Sequence, residues 1–245
     1  GLISLGSAVR IRPSLPKKIK IMKQKYQFLL KRIFYYVYGE KFFKRLPYDW
    51  SKYPSRIEII KKIIKLKNCK SYLEIGCDQD ENFSQINLKG KIGVDPKSGG
   101  THRMTSDQFF KNNKLKFDLI FLDGLHTYEQ TIKDIKNSIE AINSNGLILI
   151  HDCLPKKIWN QIVPRLYGHW NGDVWKAIVE TRTFDSVDTF TCIADHGLGV
   201  ILKRKNTNFL KLEKENFKNL KFSEYFYKHK EYMNPISVEK LFNII

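Results

Sequence analysis

Four side chains of this 245-residue chain could together activate a hydroxyl group. Asp123 and His126 stand in Phe-Leu-Asp-Gly-Leu-His, and His151 and Asp152 in Leu-Ile-His-Asp. Imidazoles have an ordinary pKa of about 6.5 and suit general-base chemistry at neutral pH. Two carboxylates with one or two of these imidazoles also suit an oxygen-preferring ion such as Mg²⁺ or Mn²⁺. A second group of residues could hold a nucleoside. Gly76, closing Leu-Glu-Ile-Gly after Glu74, allows close backbone approach, and Cys77 follows it. Asp95 comes 19 residues after Gly76, where a carboxylate can accept both hydroxyls of a ribose. Ser106, in Thr-Ser-Asp, falls where an adenine edge would lie. No G-x-G-x-x-G follows Gly76, and the run Gly76-Cys77-Asp78-Gln79-Asp80 is too acidic to welcome a pyrophosphate. A cofactor with adenosine and no phosphates fits better than a dinucleotide.

These residues need a scaffold that brings distant segments to one edge. Ser71–Gly76, Lys91–Pro96, Phe117–Gly124 and Gly146–Cys153 read as strands, the last two as near-continuous apolar runs expected where both faces are buried. His102–Thr105 reads as a weaker strand. A helix over 55–66 presents Ile59, Ile60, Ile63 and Ile64; another carries Ile132, Ile135, Ile139 and Ile142, with Asn145-Gly146 as its stop. Strands alternating with helices predict a doubly wound parallel sheet. Thr189–Ala194 and Leu198–Lys203 flank Asp195-His196-Gly197, the signal of an antiparallel hairpin. In such sheets ligands bind beyond the carboxyl ends of the strands, where Gly76, Asp95, Asp123 and His151 all fall. Strands lie about 4.8 Å apart, so Asp123, His126, His151 and Asp152 converge if their two strands pair.

The blocks YLEIG, GVDP, SGGTHRMTSDQFF, FDLIFLDGLHTYEQ, GLILIHDCLP and WNGDVWKAI, in this order, resemble the class I S-adenosylmethionine-dependent methyltransferases. The likeness spans about residues 55–205 and is nearest to the bacterial branch with an Asp-Gly-x-His-x-Tyr-Glu signature, related to metal-dependent O-methyltransferases. It implies an α/β, Rossmann-like, seven-stranded and mostly parallel sheet closed by an antiparallel C-terminal hairpin, with helices on both faces. It also implies S-adenosylmethionine as cofactor on Glu74, Gly76, Cys77 and Asp95, with Ser106 near its adenine. Asp123 matches a metal ligand, His151 and Asp152 match the usual acidic or amide pair, and His126 stands where such enzymes hold a general base. The chain departs from the pattern at His151, usually acidic, and at Asp78 and Asp80, where glycines are common. Those two aspartates could face the cofactor's ammonium and sulfonium, but read rather as caps for the helix near Glu81.

The long segment 154–175 carries Trp159, Arg165, Tyr167, His169, Trp170 and Trp175 and reads as an acceptor wall for a sugar or phosphorylated compound. Trp175 reads instead as an anchor, and Asp173 as the cap of a helix over Val174–Arg182. Lys and Arg number 43 against 25 acidic residues, a net charge of +18. Residues 1–70 hold 19 of these basic side chains and 3 acidic ones, so the remainder is nearly neutral. That neutrality, and Asp-Gly-Leu-His where amino-directed enzymes have Asn/Asp-Pro-Pro-aromatic, argue against a nucleic-acid acceptor tethered by the basic N-terminus. A small-molecule or glycan hydroxyl is the expected acceptor; a non-catalytic cofactor-binding scaffold is the rival reading. The expected organisation is a basic extension over 1–54, a methyltransferase domain over 55–205 and a helical appendage over 206–245. Within the extension, residues 23–45 pattern as a basic amphipathic helix, with Tyr26, Leu30, Ile33 and Val37 on one side. Such a helix packs on the main domain or makes peripheral contact with a membrane. Four cysteines without CxxC spacing and the lack of a secretory signal or spanning segment suit the cytoplasm. No heptads mark an oligomer.

Overall fold

The computed structural model describes residues 17–34, 45–165, 168–212 and 216–245. Along the chain run α1 (Lys17–Phe34), α2 (Arg56–Lys67), β1 (Ser71–Ile75), β2 (Gly90–Val94), α3 (Ser106–Asn112) and β3 (Phe117–Leu122). There follow α4 (Tyr128–Ala141), β4 (Ile142–Ile150), α5 (Ile158–Gln161), α6 (Val174–Thr181), β5 (Asp188–Cys192) and β6 (Leu198–Leu202). The chain closes with α7 (Phe222–Met233), β7 (Pro235–Ile236) and α8 (Val238–Ile244). The seven strands lie in the order β2-β1-β3-β4-β6-β5-β7, and β6 runs antiparallel to both its neighbours. This is the expected Rossmann-like, mostly parallel sheet closed by an antiparallel hairpin.

The apolar runs of the central strands divide between two cores because successive side chains point to opposite faces. Ile120, Leu122, Ile148 and Ile150 join one cluster with Ile135 and Trp175. Leu119, Phe121, Leu147 and Leu149 join the other with Ile59, Ile60 and Ile63 of α2. A capping box starts α2: Ser55 Oγ accepts from the Glu58 amide, and the Glu58 carboxylate accepts from the Ser55 amide. Such a cap contributes about 1 kcal/mol.

The structure differs from the pattern in four places. The strand expected at His102–Thr105 is reduced to a single bridge between Val94 and His102. The seventh strand comes instead from the C-terminal segment, as β7 pairs with β5. Helix α4 ends at Ala141, and Asn145-Gly146 lies inside β4. A Cβ on Gly146 would come within 2.9 Å of the Asp118 carbonyl, so this glycine serves close strand packing. Helix α1 keeps the expected apolar stripe but does not bury it: Tyr26, Leu30 and Ile33 are 62%, 46% and 51% exposed, while Val37 lies outside the described residues. No helix among the described residues is long and apolar enough to cross a membrane.

Candidate active site

Register sets the site. Ile75 of β1 pairs with Val94 of β2 and with Leu122 of β3, and Leu122 pairs with Ile150 of β4. The next residue on each strand is therefore Gly76, Asp95, Asp123 or His151, four residues in one row at the carboxyl edge. Backbone bonds continue the ladder one step: Gly76 donates to Val94, Asp123 to Ile75 and His151 to Leu122, at 2.8–2.9 Å.

On the β1–β2 side the backbone is shaped for a close neighbour. Gly76 has φ +90°, and a Cβ there would collide with the Asp123 carbonyl. Asp78 and Asp80 have φ of +45° and +61°, so the loop keeps a left-handed backbone that favours glycine and builds it from aspartate. They are not helix caps. The Asp80 carboxylate accepts from the Gly100 amide at 2.7 Å and pins the loop after β2. The short 3₁₀ turn at 83–85 is preceded by Asn82 instead. Asp95 accepts amides of Asp78 (3.1 Å), Lys97 (2.7 Å) and Ser98 (3.0 Å). These bonds hold its carboxyl below the usual range even though burial opposes that shift. Glu74 is enclosed beneath this loop, 2.5 Å from the Tyr72 hydroxyl and 2.6 Å from the Asn82 amide. Burial pushes its carboxyl up to about 7. It is therefore enclosed behind the ends of β1 and β2, tied to Tyr72 and Asn82. Cys77 is buried, with Sγ facing the Glu74 carbonyl. Ser106 opens α3 and accepts from Gln130 of α4 at 3.1 Å.

On the β3–β4 side, His126 Nε2 lies 3.1 Å from Asp123 Oδ1. Its Nδ1 is buried without a hydrogen-bond partner, 3.2 Å from Asp152 Oδ2. Burial works against a charge on His126, but Asp123 and Asp152 outweigh it and raise its pKa. Trp170 stacks on its ring, centroids 5.4 Å apart. Asp152 has φ +60°, a strained backbone of the kind that collects at functional sites. Asn171 donates to Asp152 Oδ1 at 2.7 Å. Asp173 stands at the N-cap of α6, as expected, but its carboxylate makes no cap hydrogen bond and accepts instead from the Tyr128 amide at 2.7 Å. The turn 171–173 thus ties the His126 loop to Asp152. Trp175 is fully buried beside Tyr225, the anchor that was expected; Tyr167 lies outside the described residues.

His151 is committed elsewhere. Its Nδ1 lies 3.1 Å from Asp123 Oδ1 and its Nε2 3.3 Å from Asp195 Oδ1. Burial disfavours its charge, yet Asp123 and Asp152 raise its pKa well above the usual imidazole value. Arg56 adds a second cation, 3.8 Å from Asp123 and 3.5 Å from Asp195. Sequence reasoning missed Asp195, Arg56, Asn171 and Asn82. The first lay in a hairpin signal that explained its residue type, and the others lay in helix or loop patterns with no chemistry of their own.

These contacts bear on the divalent ion that the resemblance implies. An ion held by Asp123, His151 and Asp152 needs a free imidazole nitrogen and free carboxylate oxygens. Both nitrogens of His151 already face carboxylates, and Asp123 Oδ1 already meets two imidazoles. The ligand atoms that gather within 4.8 Å come from Asp123, His126 and Asp152, a set that would consume the expected base, or from Asp152, His169 and His196; neither set includes His151. The residues therefore do not fit the oxygen-rich site, because His151 and Arg56 already balance the carboxylates. An adenosyl group would meet the Gly76 turn and Asp95 at the β1–β2 edge. The Gly99-Gly100 turn, with φ of +66° and +65°, packs behind them on Asp78, Asp80 and Gly93 to complete a cradle of backbone and one carboxylate.

Residues 73–153 match the family model described as "Methyltransferase domain". That span runs from β1 to just beyond β4 and includes Glu74, Gly76, Asp95, Asp123, His126, His151 and Asp152. No curated protein matches this chain. Among solved structures, the SAH-bound methyltransferase PaMTH1 of Podospora anserina is similar, at 16% identity and a TM-score of 0.50, over 80% of this chain and 100% of that one. Cofactor-bound Rv0187 from MTB is similar at 12% identity and a TM-score of 0.51, again over 80% and 100%. Residues 73–153 are thus similar to a methyltransferase domain, and the chain shares the Rossmann-like fold of these methyltransferases.

Proposed function

We propose that this protein transfers a methyl group from S-adenosylmethionine to a hydroxyl of a small or sugar-containing acceptor, with His126 as general base. The observation that carries the reading is the His126 imidazole at the end of β3. One nitrogen is fixed on Asp123, and the other is buried without a hydrogen-bond partner beside Asp152. That nitrogen lies 3.2 Å from Asp152 Oδ2 but outside hydrogen-bond geometry, so an acceptor hydroxyl inserted there would be its aligned partner.

The Gly76 turn, Asp95 and Ser106 would hold the cofactor, whose sulfonium supplies an electrophilic methyl group. Asp123 fixes the ring of His126 and stabilises the imidazolium that forms as Nδ1 takes the hydroxyl proton. Trp170 and the turn at 171–173 hold the ring in place, which favours in-line geometry. The ion pair of Asp123 and Asp195 with His151 and Arg56 keeps the rim rigid, and no step passes through a metal. A titration of the full chain with S-adenosylhomocysteine tests the cofactor assignment. Micromolar binding supports it; no binding leaves a scaffold.

Helix α1 supports a second part of the reading, contact with an anionic membrane surface. Met22, Tyr26, Leu29 and Ile33 are exposed along one stripe, with Lys23 and Lys31 also exposed. Co-sedimentation with anionic vesicles, absent with neutral ones, is the expected result.

A further inference from the structure

A cleft of about 470 Å³ opens beside the segment 154–171, lined by Arg45, Trp50, Lys156, Lys157, Trp159 and His169. Asn171, whose amide holds Asp152, also lines it, so the cleft and the proposed base share a wall.

Its charge is one-sided. Lys156 Nζ lies 4.6 Å from the centre of the Trp50 ring, and Lys157 Nζ 5.1 Å from that of Trp159. Such cation–π contacts hold the ammonium groups in place and leave their protons free to donate. Among the described residues, no carboxylate forms an ion pair with Arg45, Lys156 or Lys157. The acidic neighbour Asp49 pairs with Lys52 at 3.7 Å. Burial, then the Arg45 and Lys157 charges, lower the Lys156 pKa, and the nearby Asp49 carboxylate offsets this only in part. Cations gathered on a concave, partly dry wall concentrate positive potential and attract anions. Three donors suit the oxygens of a phosphoryl group, and the walls of Trp50, Trp159 and Leu154 suit the carbon face of a sugar. The main body is otherwise close to neutral and the cleft holds only a compact molecule, so a nucleic acid is a poor occupant.

We infer that this cleft is the acceptor subsite and that it takes a phosphorylated sugar, with the phosphoryl group held by Arg45, Lys156 and Lys157. The inference rests on the methyltransferase reading for its hydroxyl end and on the cleft alone for its anionic end.

The test is calorimetric titration of the full chain with glucose 1-phosphate and, separately, with glucose, each with and without S-adenosylhomocysteine. The sugar phosphate is expected to bind at least about tenfold more tightly than the sugar, and raised salt to weaken it. Lys156→Gln with Lys157→Gln is expected to weaken it by about tenfold or more; Arg45→Gln, at an exposed position, gives the same direction with less risk to folding. Equal affinity for sugar and sugar phosphate, no binding of the phosphate, or full binding by these variants overturns the subsite. A chain that binds S-adenosylhomocysteine but not the sugar phosphate loses this inference alone. One that binds the sugar phosphate but not S-adenosylhomocysteine keeps the anion site and loses the methyltransferase.

Discussion

Oδ1 of Asp123 lies 3.1 Å from Nδ1 of His151, 28 residues along the chain, and joins the ends of β3 and β4. Because the other His151 nitrogen faces Asp195, removing the imidazole takes a close partner from two carboxylates of a poorly solvated rim and leaves Arg56 and His126 to balance them. His151→Ala should cost about 3–5 kcal/mol of stability, the scale for breaking a buried pair. The folded pKa of His151 is raised above its ordinary 6.5. Its contribution is therefore full below that value and is lost as pH rises through the folded pKa. Asp195 is shifted the other way, below its ordinary 3.8, so its contribution is present above that value and is lost as pH falls through the folded pKa. Denaturant midpoints against pH should show an alkaline decline that is shallower in His151→Ala. An unchanged slope would remove His151 from the ion pair.

The base must be neutral to accept a proton, and the pKa of His126 is raised above its ordinary 6.5. Methyl transfer should therefore rise with pH through an apparent pKa above 6.5, and saturating cofactor should not abolish the rise. His126→Asn should lower turnover by about 10²–10⁴ and leave S-adenosylhomocysteine affinity within about threefold. A variant that keeps the wild-type rate and pH profile would place the base elsewhere.

Chelation gives a sharp contrast. Since His151 and Arg56 balance Asp123 and Asp195, treatment with EDTA should leave both turnover and S-adenosylhomocysteine affinity unchanged, and added Mg²⁺ should not raise them. Activity lost to the chelator and restored by Mg²⁺ would show that the ion pair opens to admit a metal.

The carboxyl-edge row was legible in the sequence because each of Gly76, Asp95, Asp123 and His151 follows an apolar run, and parallel register aligns such ends. The partners that set their charge states were not. Asp195 belongs to a hairpin turn and Arg56 to the first turn of α2, and each is fully explained locally. Only tertiary packing brings them within reach of His151 and Asp123. The roles of Asp78 and Asp80 were misread because aspartate favours both helix caps and left-handed turns, and side-chain type alone does not choose. The weak third strand failed for a related reason: four residues with one apolar partner do not hold a ladder, and a bridge at His102 remains.

Burial raises the Glu74 carboxyl to about 7 from an ordinary 4.5. A carboxyl with a raised folded pKa holds its proton longer in the folded chain than in the unfolded one. Its effect on stability is most favourable below about 4.5 and declines as pH rises to about 7. Glu74→Gln keeps a group that can bond Tyr72 and Asn82 and cannot ionise. It should flatten that decline and stabilise the chain by about 1–3 kcal/mol above neutral pH. Thermal melting of both proteins at about pH 5 and about pH 8 checks this, and equal shifts at the two values would contradict it.

Gly172 carries φ +67°, and a Cβ there would collide with the backbone carbonyl of His126. Its neighbours do the clamping: Asn171 holds Asp152, and Asp173 holds the Tyr128 amide at the start of α4. Gly172→Ala would therefore push the His126 loop away from Asp152 without touching the Gly76 cradle. The expected result is a fall in turnover of about 10²-fold, the scale for a misplaced reacting group, with S-adenosylhomocysteine affinity kept. Because a strained turn also weakens folding, melting temperature and affinity are measured on the same sample. Loss of turnover in a chain that still binds the cofactor product with wild-type affinity marks a positioning role. Parallel loss of both would make Gly172 a structural residue only.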